Sequence, residues 1–432
     1  MLRSSPLFAL LLPFVACSQP PSPGGQVSES AGPVNVAAAT VTTGTSPVAT
    51  ASGVADDRDF ALPSEKFTEA ARNFDEAKKA LLEGYYDGSF TEEDLYRAAV
   101  AGMLERVDPA MRKWNKLMSP SEIAQLRADL QGEIVGVGVG IDFDPATGYL
   151  DVRRIYPGTP ADRAGIAPPD KIVTVNGKLY RGLTLRDAVV DIRGKAGETV
   201  TLSILRGDKL VSVPLVRQKV VFDQVTHFIV SGNVGYVEIP GFNTKTPQAL
   251  HDALTDLVTK GAQALIVDLR HSPGGSFDDA VAAVGEMVPA GSTVASLKKR
   301  GKVEPIVATT APILGDEPIA VLVDHETASS AELVTAALQD LQHATVVGSH
   351  TQGKWTVQSV DDLSNGYAIK YTMALFGSPG GKSYEGTGMT PDIEVDQADD
   401  ATVRAQMESD VVKRLAEDVQ LRTAVALLTK TR

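Results

Sequence analysis

Between residues 218 and 397 the chain alternates two hydrophobic periods, and few folds accommodate that order. Short apolar runs of strand length occur at 234–239, 264–269, 319–323 and 345–348. Runs with helical spacing lie at 247–259, 276–288 and 330–341. Strands joined through helices need crossover connections, so an α/β layer is expected here.

The 432 residues are enough for two or three domains, and the flanking sequence changes character accordingly. Residues 131–217 open on glycines 136, 138 and 140. Strand-like segments follow near 149–155, 171–175 and 200–205, with short helices near 161–164 and 185–192, as in a compact α+β module. Residues 58–130 read as helical. Ser64 can cap a run carrying Phe67, Ala70, Phe74 and Leu81, and Thr91 a run with Leu95, Ala98 and Met103 inside. Residues 398–432 form a helical tail with Met407, Val411 and Leu415 at one spacing.

The first 57 residues do not read as folded. An apolar run from Leu7 to Ala16 behind Arg3 has the form of a signal peptide over 1–16. Residues 17–57 are rich in Pro, Ser, Gly, Ala and Thr, too poor in apolar bulk to order themselves, and read as a disordered tether. Cys17 is the only cysteine, which excludes an internal disulfide and a cysteine-based zinc site. No metal or other cofactor is expected. A formal net charge of −13 argues against nucleic acid as a partner.

Two polar residues stand out against this frame. Ser329 opens the run at 330–341, where backbone N–H groups and the positive end of the helix dipole favour a nearby oxyanion. Ser329-x-x-Glu332 also has the form of a capping box. Lys354, 25 residues on, follows a glycine and starts a strand-like run, so Gln358 shares its face and Trp355 takes the other. Buried, such a lysine would lose charge and could accept the serine proton. The segment Asp268-Leu269-Arg270-His271-Ser272-Pro273-Gly274-Gly275 follows a strand and precedes a helix. It suits either a tight turn or a backbone donor for an oxyanion. Gly136-Val137-Gly138-Val139 can form a turn or a nest of N–H groups for a carboxylate, and no GK[ST] follows to favour a nucleotide. A Ser-His-Asp arrangement with His271 or His350 remains open on sequence alone.

Taken in order, these segments resemble the C-terminal processing peptidases, or tail-specific proteases, over about residues 67–428. The motifs are Gly102–Pro109, Gly136–Ile141, Pro157–Ala161, Asp170–Gly177, Asp268–Gly275, Thr351–Lys354 and Gly386–Ile393. The resemblance implies an α/β multidomain fold. Its serine–lysine protease core has layers like those of crotonase and Clp protease, with an inserted PDZ domain and helical ends. It implies Ser329 as nucleophile, Lys354 as general base and Gln358 as the lysine's support. Gly275, or less readily Gly274, with Ser330 would form the oxyanion hole. Val137, Gly138 and Val139 would line the PDZ carboxylate loop, and Asp340 would be structural.

The resemblance extends to context. Phe14-Val15-Ala16-Cys17 is similar to a lipobox with Phe14 in place of leucine, so lipidation at Cys17 is expected. That places the enzyme on the periplasmic side of a bacterial envelope, held to a membrane through the lipid alone. The expected partners are protein substrates engaged by their C-terminal tails, with a homodimer or an adaptor-regulated complex as assembly states. The chain departs from the family at His325-Glu326-Thr327, Gln352 and Trp355. These departures motivate the alternative of a catalytically silent PDZ scaffold.

Overall fold

A computed structural model describes residues 70–430, apart from 108–110, 112–113, 145, 157, 184, 221–223, 398–401, 403–404, 407 and 409. The leader, the tether, Cys17, the Ser64 cap, Phe67 and Met407 lie outside the described residues. The chain divides into two units at Ala98/Ala99. In the first, helix Ala70–Gly84 buries none of its residues, and Lys78 bonds Glu92 and the Tyr96 hydroxyl, each at 2.6 Å. In the helix Glu92–Val107, Met103 is 60% exposed and Leu104 is the buried residue. The inward face is therefore one residue later than the sequence spacing predicts, a rotation of about 100°.

The second unit is built on a six-stranded sheet ordered Ile393–Glu394, Thr345–Gly348, Ile319–Val323, Ala264–Asp268, Val234–Glu238, Thr226–Ser231. All neighbours are parallel except the last pair. The expected alternation of strand and helix produces this layer. Period 2 then divides each strand between two cores. Val267, Val321, Val323 and Val346 face helices Thr246–Thr259, Phe277–Gly285 and Ser330–Gln342. Ala264, Ile266, Ala320, Leu322 and Val347 face Leu421, Ala424 and Leu428 of helix Val419–Lys430. Helix Ser330–Gln342 is buried on all sides through Leu338, as its unbroken run of small and apolar residues requires.

A second, antiparallel sheet was not read from the sequence. It joins Lys116–Met118, Ala368–Gly377, Thr293–Lys299 and Lys302–Val307 in that order, with Thr356–Asp362 also on Ala368–Gly377. A third sheet of five strands, from Val139–Asp144 to Lys209–Val216, encloses its own core with helix Leu185–Ile192. The chain enters and leaves this module along one antiparallel pair, Ile134–Gly136 with Gln218–Val220. Among the described residues, no helix is long and apolar enough to cross a membrane.

Candidate active site

Ser329 sits where the central strand Ile319–Val323 turns into helix Ser330–Gln342. Its backbone has φ 57° and ψ −117°, a conformation that costs a non-glycine residue about 1–3 kcal/mol. The turn is held from the neighbouring loop. Thr327 Oγ1 donates to the Leu269 carbonyl at 2.9 Å, and the Ala328 N–H to the Ser272 carbonyl at 3.0 Å.

Glu332 does more than the capping box requires. Its buried carboxylate accepts the Ser329 N–H at 2.8 Å and the Lys354 N–H at 2.9 Å on the same oxygen. The other oxygen accepts the Gly353 N–H at 2.8 Å and Thr351 Oγ1 at 2.6 Å. One side chain thus welds the two segments that carry the serine and the lysine. Burial raises the Glu332 pKa, and the four donors offset part of that. The reciprocal half of the box is absent, since Ser329 Oγ is buried without a hydrogen bond. Sequence spacing signalled the Ser329–Glu332 contact but not the partners at 351–354.

The lysine loop is braced from the far end of the core. The Thr351 N–H donates to the Met389 carbonyl at 3.0 Å, and the Gly386 N–H to the Gly353 carbonyl at 2.8 Å. Gly353 has φ +78°, and a β-carbon there would collide with the Gly388 amide, so only glycine fits. Lys354 is 2% exposed, and its Nζ lies 4.4 Å from the centre of the Trp114 ring.

Lys354 precedes the strand, which begins at Thr356. The pairing skips Met373 of the opposing strand between Val357 and Gln358, so Thr356 and Gln358 keep one face. Gln358 Nε2 donates to Thr356 Oγ1 at 3.1 Å and Thr372 Oγ1 at 2.9 Å, and its Oε1 is buried without a hydrogen bond. Trp355 points into the core. It is fully buried, stacked on Phe376 at 4.7 Å and against Tyr384 at 5.0 Å. Gln352 lies beside the nucleophile turn, its N–H donating to the Thr327 carbonyl at 3.0 Å. Asp340 Oδ2 accepts the Gly380 N–H at 3.3 Å, a joint between helix and loop.

Of the two glycines, Gly274 is the nearer to Ser329. It has φ +90°, and a β-carbon there would lie 2.7 Å from the Ala328 carbonyl and 2.8 Å from the Ser330 nitrogen. Gly275 packs against the Phe242 backbone, and its carbonyl accepts Ser330 Oγ at 3.1 Å. Both glycines thus lie against the turn that carries Ser329 and Ser330.

No histidine bonds Ser329. His350 Nδ1 lies 3.0 Å from the Thr351 carbonyl. His271 Nδ1 lies 2.8 Å from Glu326 and 3.2 Å from Asp324, and its N–H donates to Asp324. His271 thereby ties the glycine loop to the nucleophile turn. Burial alone would lower its pKa, but the Glu326 hydrogen bond and the charges of Asp324 and Glu326 lift it to about 9. A pKa above the unfolded value of about 6.5 means this stabilisation is complete below that pH and lost as pH rises through about 9. His271→Gln should therefore lower the urea midpoint at pH 6, and the gap to wild type should close by about pH 10. An equal gap at both pH values would show that the imidazolium is not what holds the loops.

Buried polar atoms without hydrogen bonds concentrate here: His271 Nε2, Ser272 Oγ, Ser329 Oγ, Gln352 Oε1, Trp355 Nε1 and Gln358 Oε1. A fold tolerates such a cluster where function demands it. Val137, Gly138 and Val139 lie elsewhere, where the chain enters the first strand of the 139–216 module. Val137 is buried in that module's core, and its carbonyl accepts the Ala161 N–H at 2.9 Å. Gly138 lies against Thr159. No cluster of acidic, histidine or cysteine side chains able to hold a metal occurs among the described residues.

Comparison with known proteins gives the same partition. The family model "Peptidase family S41" matches residues 233–395, and "PDZ domain" matches 137–215. The chain is 33% identical over 322 residues to the "Probable CtpA-like serine protease" of Staphylococcus aureus strain bovine RF122 / ET3-1, covering 74% of this chain and 63% of that one. It is 32% identical over 313 residues to the carboxy-terminal-processing protease of Bartonella bacilliformis, covering 71% and 70%. The solved photosystem II D1 C-terminal processing protease superposes with a TM-score of 0.51 at 28% identity, over 81% of this chain and all of that one. The chain spans only 63% of the length of the staphylococcal relative.

Proposed function

The chain belongs to peptidase family S41 and carries a PDZ domain, and from that premise we propose that it is a serine endopeptidase acting near protein C-termini. The observation that carries this reading is the Glu332 carboxylate, which accepts the backbone N–H groups of Ser329 and Lys354 on one oxygen. Residues far apart in sequence, one a nucleophile type and one a base type, are thereby fixed side by side in a buried site.

In this mechanism neutral Lys354 accepts the proton of Ser329 Oγ as the oxygen attacks a peptide carbonyl. The backbone N–H groups of Ser330 and of Gly274 or Gly275 bind the tetrahedral oxyanion. The C–N bond breaks, the lysine returns its proton to the leaving amine, and water then hydrolyses the acyl-serine. The PDZ domain would hold a substrate tail as an added strand, its carboxylate at Val137, Gly138 and Val139. Gln358 would support the lysine once its free Oε1 turns to it. Export and lipid anchoring at Cys17 belong to the same reading, supported by the apolar run that ends in Phe14-Val15-Ala16-Cys17.

Trp355, one of the residues that motivated a silent scaffold, is packed into the core. A fluorophosphonate probe decides between the two readings. The expected result is one adduct, mapped to Ser329 by mass spectrometry. A protein that stays unlabelled at every serine would be the scaffold.

A further inference from the structure

The lysine and serine are neighbours through Glu332, yet Ser329 Oγ makes no hydrogen bond. The lysine head lies instead over the face of Trp114, 4.4 Å from its centre, at a site where Trp114 is 5% exposed and Lys354 2%. An aromatic face attracts an ammonium through its quadrupole and gains little from a neutral amine, most strongly when both are removed from water. The ring thus favours the protonation state that cannot act as a base.

We propose that Trp114 is a positioning residue for the general base, an autoinhibitory perch that holds Lys354 as an ammonium off Ser329 until the lysine leaves the ring. This inference rests on the serine–lysine reading above. The perch is anchored. The Trp114 backbone N–H donates to the Met111 carbonyl at 2.9 Å, and Asn115 Oδ1 accepts the Thr372 N–H at 2.8 Å. The following strand, Lys116–Met118, pairs with Ala368–Gly377. Trp114 therefore reaches the lysine from the segment ahead of an edge strand, outside the motifs that mark the core.

Among the described residues, charged groups on the elements around the lysine include Glu332 on the helix that follows Ser329, Glu385 bonded to the Trp355 N–H, and Lys116 and Lys370, register partners on adjoining strands. Lys116 is paired with Glu122. Substitution of Trp114 leaves all of them in place.

The test is the rate at which fluorophosphonate labels Ser329, followed from pH 5 to 10 in wild type, Trp114→Leu, Trp114→Phe and Lys354→Met. Trp114→Leu should label about tenfold faster at pH 7, with its acid limb about one unit lower, because the ammonium has lost its ring. Trp114→Phe keeps a weaker face and should fall between, and it decides the matter alone if Trp114→Leu does not fold. Variants that label no faster than wild type, with an unmoved acid limb, would overturn the perch and leave Trp114 as packing. Lys354→Met tests the premise separately: undiminished labelling there would remove the dyad itself, whatever Trp114 does.

Discussion

Lys354→Met should lower kcat/KM on a protein with an apolar C-terminal tail by about 10⁴- to 10⁶-fold, the scale on which members of a serine-protease nucleophilic unit act. Methionine keeps the length of the stem and removes the amine, so packing changes little. The bond to Glu332 survives the change, because Glu332 accepts the backbone N–H of residue 354. The fold should therefore be retained, and loss of activity with an unchanged urea midpoint is the signature to measure. Loss of both together would place Lys354 in the packing and not in the chemistry.

The second large effect is on stability. Arg270 is fully buried between two carboxylates. Its Nη2 lies 2.6 Å from Asp268 and 2.8 Å from Asp418, its Nη1 3.0 Å from Asp418, and Gln420 accepts a further bond at 2.9 Å. Tyr236 donates to Asp268 at 2.7 Å and itself bonds Arg414. This network fastens the C-terminal helices to the strand that leads into the glycine loop. Arg270→Met would leave two buried carboxylates without their cation and should cost about 3–5 kcal/mol at pH 7, read as a shift in urea midpoint.

Acid should narrow that gap. Burial would raise the Asp268 pKa, but the charge and hydrogen bonds of Arg270, with Tyr236, hold it at about 2. In wild type the resulting stabilisation is present above the unfolded value of about 3.9 and lost as pH falls through about 2. Without Arg270 the carboxyls can protonate, so the variant should approach wild type as pH falls. A constant gap from pH 7 to pH 3 would mean that Arg270 matters for its bulk alone.

How far the sequence was legible follows from where each partner lies along the chain. The central strands were readable because they are short, apolar and separated by helical spacing, and all five residues of Ile319–Val323 are buried. Helix starts were readable where a local side chain makes them, as Ser276 does for Phe277–Gly285. The hairpin Thr293–Lys299 and Lys302–Val307 was not, because Lys298-Lys299-Arg300-Gly301-Lys302 reads as a solvated loop and most of the second strand is exposed. Lys209–Val216 escaped for the same reason.

At the site, Ser329 and Lys354 were singled out through motif and spacing, but their surroundings are tertiary. Glu332 looked like a local cap because its other partners lie 19 to 22 residues on. Trp114 reaches the lysine from 240 residues away, which no local pattern can signal. The strand expected to carry Lys354 and Gln358 together begins only at Thr356, which leaves the lysine in the loop ahead of it. Glu326, within one departure from the family, proved to pair with His271 of the glycine segment.

The most direct measurement is the mass of the products formed from a folded carrier with an apolar C-terminal tail, incubated with wild type and with Ser329→Ala. Wild type should release fragments cut near the tail, and Ser329→Ala none. Equal cleavage by the variant, or wild-type cleavage that ignores removal of the tail, would contradict a C-terminal processing peptidase built on Ser329.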